Sequence, residues 1–176
     1  MIFKTYQLGD IANGGFELSK QVEQEILAIV GEKLKKPTRV DVTEGKNVDQ
    51  DGWVGDLSAE VKVSAKLFKG DMKYGNFFET HYKNGQPSAL LLTKSDIYIT
   101  LSPGWSNKAG MITGKIRVWK VKDLLAVMGR VYPIVKYDYD EYGFYVPNKS
   151  EAINHIWIGD VLFNPFEKEY NLGVRL

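Results

Sequence analysis

Apolar and polar residues alternate along this chain in several short runs, interrupted by two stretches with helical spacing. From Ser19 the sequence SKQVEQEILAIVGEKLKK places Val22, Ile26, Leu27, Ile29, Val30 and Leu34 on one face of a helix. Ser19 suits the N-cap, with Glu23 close behind it, and Lys33, Lys35 and Lys36 suit the C-terminal turn before Pro37 stops the helix. The spacing predicts a helix over residues 20–35. A second, shorter helix is expected over 122–128 (KDLLAVM), ended by Gly129.

Strict alternation predicts strands at 38–42 (TRVDV), 57–67, 76–82 and 115–121 (KIRVWKV). Along 57–67, Leu57, Ala59, Val61, Val63 and Ala65 share one side, and Ser58, Glu60, Lys62, Ser64 and Lys66 the other. Along 76–82, Phe77, Glu79 and His81 oppose Phe78 and Thr80. The apolar run 96–101 reads as a buried strand closed by Ser102-Pro103-Gly104, and 143–146 and 155–162 as further short strands, with 2–8 a strand or extended lead-in. Turns fall at Asn13-Gly14-Gly15 and Asn84-Gly85, and 43–56 is a polar loop or tight hairpin. The pattern is that of an α/β protein with a central mixed sheet flanked by helices.

The length of 176 residues allows one domain with a substantial core. That domain is expected over 1–176, with its core at about 17–128, peripheral strands over 129–176 and a polar tail from Asn164. Hydrophobic content of 44% and charged content of 26% are ordinary for a soluble globular chain. The absence of cysteine excludes disulfides, zinc–thiolate sites and thiol nucleophiles, and fits a cytoplasmic location. No signal peptide or membrane span is expected. His81 and His155 are the only histidines, which leaves little for a zinc site or a Ser-His-Asp triad. A net charge of +1 means that any affinity for nucleic acid must come from local patches.

The chemistry concentrates between Asp49 and Glu79. Glu60 and Lys62, two apart on a strand, point to the same face with Val61 on the other. A solvent-facing strand with alternating charges is the ordinary explanation. Asp49, Asp51 and Asp56 lie just upstream. If one of them meets Glu60, two carboxylates converge beside one ammonium, the kind of oxygen-rich site that hard divalent cations take. Asp51 or Asp56 would be that acid; Asp residues between glycines are otherwise common turn formers. Asp56 is close to Glu60 for a hairpin, whereas Asp51 leaves room for a turn at 52–55.

An acid at Asp51 or Asp56, then Glu60-x-Lys62, then Gly75-Asn76-Phe77-Phe78-Glu79, then Thr93-Lys94-Ser95-Asp96-Ile97-Tyr98 follow one another in an order that resembles the PD-(D/E)xK nuclease superfamily, the fold of restriction endonucleases and Holliday-junction resolvases. The resemblance covers residues 17–101. It departs from the pattern in two places: no proline precedes a candidate Asp, and Ser95 stands where a small alanine is common.

The resemblance implies a restriction-endonuclease-like fold and an Mg²⁺-dependent hydrolase that cleaves phosphodiester bonds in DNA, with Mn²⁺ as a substitute. Asp51 or Asp56, Glu60 and the Val61 carbonyl would hold the metal, Lys62 would orient water or steady phosphate charge, and Glu79 would bind through water or orient a base. A helical glutamate sometimes joins such sites, which brings in Glu23 or Glu25. Lys66, Lys69, Lys73, Tyr74 and Lys94 flank the proposed site as nucleic-acid contacts, and His81 is a candidate proton carrier. Homodimers are common in such nucleases. The alternative is a nuclease-fold module without chemistry, a binding or inhibitory protein of phage or mobile-element type.

Overall fold

The long amphipathic run forms helix α1 (Phe16–Leu34). It begins earlier than the spacing predicts, because Phe16-Glu17-Leu18 contains no proline or glycine to break it. At its end Lys35 takes a φ of 54°, and the Lys36 N–H donates back to the Gly31 carbonyl at 2.9 Å. This left-handed cap at Lys35 closes the helix two residues before Pro37, which could not have continued it. The computed structural model describes residues 2–7, 16–41, 50–63, 76–82, 84–106, 112–137 and 141–164. The Asn13-Gly14-Gly15 turn, residues 43–49 of the 43–56 loop and the polar tail after Asn164 fall outside these.

The remaining elements are β1 (Ile2–Gln7), β2 (Thr38–Val40), β3 (Gly52–Val54), β4 (Leu57–Val63), β5 (Asn76–His81), α2 (Ala89–Leu92), β6 (Ile97–Ser106), β7 (Ile112–Lys120), α3 (Val121–Val127), β8 (Val135–Tyr137), β9 (Glu141–Val146) and β10 (His155–Asn164). Seven strands form one sheet in the order β1-β10-β7-β6-β4-β3-β2, and three form another in the order β5-β9-β8. In the large sheet β4 pairs parallel with β6 and β1 parallel with β10; its other pairs are antiparallel. The chain is therefore α/β with a mixed sheet, as the periodicity predicts. No helix among the described residues is long and apolar enough to cross a membrane.

Each face of the large sheet is covered. On one, α1 supplies Val22, Ile26, Leu27 and Val30 to a core with Val54, Ala59, Val61, Ile97, Ile99, Leu101, Ile116 and Val118. On the other, Tyr98 and Trp119 pack with Phe78, Phe144 and Val146 of the small sheet and with Leu90 and Leu124 of the short helices. Phe78 is the hinge of this second core: its ring lies 5.2 Å from Trp119 edge-on, 5.3 Å from Phe144 and 6.1 Å from Tyr98. A polar tie joins the sheets beside it. Arg117 Nη1 donates to Asn76 Oδ1 at 3.0 Å, and Asn76 Nδ2 donates to the Val146 carbonyl at 3.3 Å.

Four features depart from the sequence expectations. The small sheet was not foreseen, because alternation reports which face of a strand is buried and not which strands it joins. β6 runs through Pro103 to Ser106; a shift in the β6–β7 register after Pro103 lets the ladder continue past a residue with no N–H. β3 and β8, three residues each, are too short for alternation to reveal. Beyond Gly129, β10 is not peripheral: it lies inside the large sheet, paired with β1 on one side and β7 on the other.

Gly52 is a point of close approach between α1 and the β2–β3 pair. A Cβ added there would stand 2.3 Å from the Arg39 carbonyl oxygen and 2.6 Å from Leu27 Cδ2. Gly52→Ala should therefore lower unfolding stability by about 1–3 kcal/mol, read from urea denaturation. A midpoint equal to that of the wild type would show that the strand can move away from the helix.

Candidate functional site

The site is built by the β3–β4 hairpin. A two-residue turn at Gly55-Asp56, with Gly55 at φ 60°, joins Val54 to Leu57, and the strands pair back to Gly52 opposite Ala59. Just before Gly52, Asp51 is held by three hydrogen bonds. Its N–H donates to the Ala59 carbonyl at 2.8 Å, its carbonyl accepts from the Asp41 N–H at 2.8 Å, and its Oδ2 accepts from the Val61 N–H at 2.6 Å. The carboxylate thus takes over the ladder where the β3 backbone leaves it, through a short charge-assisted bond. Asp51 lies at the level of Glu60. Asp56, the other acid left open by the sequence, is exposed in the turn. Four residues of strand, about 13 Å, separate it from Glu60. The turn falls one step later than expected, and Gly52 belongs to the strand.

Glu60 and Lys62 are both half-buried on the face opposite α1, while Ala59 and Val61 pack beneath the helix. Across the parallel ladder Glu60 stands beside Tyr98 and Lys62 beside Thr100, whose Oγ1 accepts from Trp119 Nε1 at 2.9 Å. Burial pushes the Tyr98 phenol well above its usual pKa, and the charges of Glu60, Tyr82, Glu79 and Asp51 push it further. Acids from the β3 lead-in, β4 and β5 therefore act on one hydroxyl. Glu79, half-buried on β5, joins the electrostatic neighbourhood of Asp51 and Glu60 from the small sheet. Among the described residues no group of three or more His, Cys, Asp or Glu side chains could hold a metal ion. Mg²⁺ commonly takes one or two carboxylates and fills its shell with water and phosphate oxygens. A pair such as Asp51 and Glu60 suits that habit.

The Thr93–Asp96 segment has a structural task. Asp96 Oδ2 accepts from the Ser58 N–H and from Ser58 Oγ, each at 3.0 Å, and the Asp96 N–H donates back to the Ser58 carbonyl at 3.0 Å. The Ser95 N–H donates to Thr93 Oγ1 at 3.1 Å. These bonds fix the parallel register that sets Glu60 beside Tyr98. Lys94 is exposed just before β6. Lys66, Lys69, Lys73 and Tyr74 lie outside the described residues. Glu23 and Glu25 sit on α1, across the sheet from Glu60 and Lys62. His81 Nδ1 lies 3.1 Å from Thr80 Oγ1, a local contact within its own strand. One acid was missed. Asp41 follows β2 directly beside Asp51, with its Oδ2 accepting from Gln50 Nε2 at 3.3 Å. The alternation of TRVDV already set Asp41 opposite its valines.

Comparison of the chain with protein-family models, with curated proteins and with solved structures finds no match.

His155 stacks on Trp119 with ring centroids 4.6 Å apart, and its pKa is lowered by burial and then by the positive charge of Arg117. A histidine depressed in the folded state binds its proton more readily once unfolded. Its neutral form stabilises the fold fully above the unfolded value, near pH 6.5, and that contribution falls away as the pH drops from there toward the folded value. The melting temperature should decline between about pH 7 and pH 5. In His155→Phe, which keeps a ring against Trp119, the decline should be shallower. Identical pH profiles would assign the slope to other groups.

Proposed function

We propose that this protein is a metal-dependent endonuclease-like hydrolase that cleaves phosphodiester bonds in DNA, with a restriction-endonuclease-like core spanning α1 to β6. The observation that carries the reading is the Asp51 carboxylate, anchored to the backbone of Val61 beside Glu60, with Lys62 on the same face as Glu60. An acid, an E-x-K strand, a strand with a further glutamate and a strand led by Asp96 follow in the order of the nucleases the sequence resembles.

In this reading Asp51, Glu60 and the Val61 carbonyl would hold Mg²⁺ or Mn²⁺. The ion, when bound, supplies Lewis-acid polarisation of the phosphate and a water of lowered pKa. The Asp51–Val61 hydrogen bond keeps one carboxylate oxygen fixed, so that less freedom is lost when a cation arrives. The Lys62 ammonium donates to the attacking water or to a non-bridging phosphate oxygen and offsets the negative charge that grows there. Partial burial of Glu60 and Lys62 lowers the local dielectric and strengthens both effects. Glu79 alternates with Phe78 on β5, away from the large sheet, and would bear on the site through its charge.

Nicking of supercoiled plasmid DNA with Mg²⁺ or Mn²⁺ tests the assignment. Asp51→Ala, Glu60→Ala and Lys62→Ala should each lower the rate about 10²-fold or more, and Asp56→Ala, at the turn, should leave it unchanged. Equal rates in wild type and Glu60→Ala would refute the catalytic roles. DNA binding that persists with no metal-dependent nicking would leave the nuclease-fold binding module as the better account.

A further inference from the structure

We infer that Arg39 and Trp53 form a nucleotide-binding platform beside the acidic site, receiving the stretch of DNA strand next to the phosphate that would meet the ion held by Asp51 and Glu60. The inference rests on the proposed function for its substrate, and it extends that reading to residues outside the sequence-derived contact set. The Arg39 guanidinium carbon lies 3.9 Å from the centroid of the Trp53 ring. The two residues are direct cross-strand partners, and Trp53 in turn pairs with Ser58 on β4.

The platform is on the same side of the sheet as the candidate site. Val54, Ala59 and Val61 point under α1, and Val40 packs against that core. Alternation therefore sends Arg39, Trp53, Ser58 and Glu60 to the opposite face. Trp53 is next but one to Asp51, a step of about 7 Å along a strand. That is on the scale of the spacing between neighbouring nucleotides in an extended strand. A phosphate on the ion that Asp51 and Glu60 would hold would thus have the adjoining nucleotide over Arg39 and Trp53. Further along the same line, toward the hairpin turn, Lys35 and Lys36 are exposed. The Lys36 side chain lies against Gly55 of that turn. Asp56 and Glu32 are the opposing charges at this end.

The chemistry selects nucleic acid over other polyanions. A guanidinium held flat on an indole keeps its edge donors for phosphate oxygens, and the remaining aromatic surface can meet a base. The stacking also keeps the long arginine side chain ordered before a ligand arrives, which lowers the entropy lost on binding. Arg39 is exposed and Trp53 half-exposed, so the pair is accessible without rearrangement.

The test is fluorescence anisotropy with a labelled single-stranded DNA oligonucleotide in EDTA, across a range of salt concentrations, with heparin as a polyanion without bases. Arg39→Ala should weaken DNA binding about tenfold and lower the salt slope by about 0.7–0.9, the loss of one phosphate contact. Arg39→Lys should restore the slope but not the full affinity. Trp53→Leu should weaken DNA binding while leaving heparin binding unchanged. Thermal melts confirm that the variants fold. Wild-type affinity and slope in Arg39→Ala, or equal loss of DNA and heparin binding in Trp53→Leu, would overturn the platform. Glu60→Ala separates the two readings: intact binding with lost nicking supports both. Binding that depends on Arg39 in a wild type that never nicks DNA removes the catalytic reading and leaves the platform standing.

Discussion

The parallel pairing of β4 with β6 is the constraint on which the rest of the molecule depends. Ser58 and Asp96 clamp the start of that ladder, backbone to backbone and backbone to carboxylate. Once the register is set, Ala59, Val61, Ile97 and Ile99 fall under α1, and Glu60, Lys62, Tyr98 and Thr100 fall on the opposite face. A shift of one residue would exchange these sets and drive a carboxylate and an ammonium into the core beneath the helix. The charged face of the E-x-K strand is thus a product of the same register that builds the apolar core.

A second consequence is electrostatic. Asp51, Glu60 and Glu79, all half-buried, act on the buried Tyr98 hydroxyl. Like charges held together in such surroundings cost free energy unless cations or hydrogen-bond donors answer them. Part of the answer is visible in the Val61 N–H that Asp51 accepts and in Lys62 on the neighbouring position of the strand.

Much of this was legible in the chain. The apolar face of α1, the two faces of β4 and the opposed faces of β5 follow from periodicity alone, since each element buries one side. The buried Asn76, Phe78 and Thr80 alternate with half-buried Phe77, Glu79 and His81 as that reasoning requires. What was not legible depends on partners distant in sequence. Periodicity does not say that β5 and β9 leave the main sheet to make their own, or that β10 returns to its interior. The choice between Asp51 and Asp56 hinged on a two-residue turn: with Gly55 at positive φ the reversal falls late, and Asp51 rather than Asp56 arrives beside Glu60. Arg39 and Trp53 lay in plain view as residues of neighbouring strands, but their stacking needs the β2–β3 register.

The position of β10 bears on how the molecule assembles. Ile2 pairs with Asp160, and β10 must arrive before β1 has any strand to lean on. During synthesis the N-terminal strand therefore waits, without its ladder, until nearly all of the described chain has emerged. Closing so long a loop is entropically costly and slows folding of topologies rich in distant contacts. The part of the sheet from β2 to β7 pairs strands closer in sequence and has no such delay. It is the natural place for structure to begin, and the β1–β10 pair the natural place for it to finish.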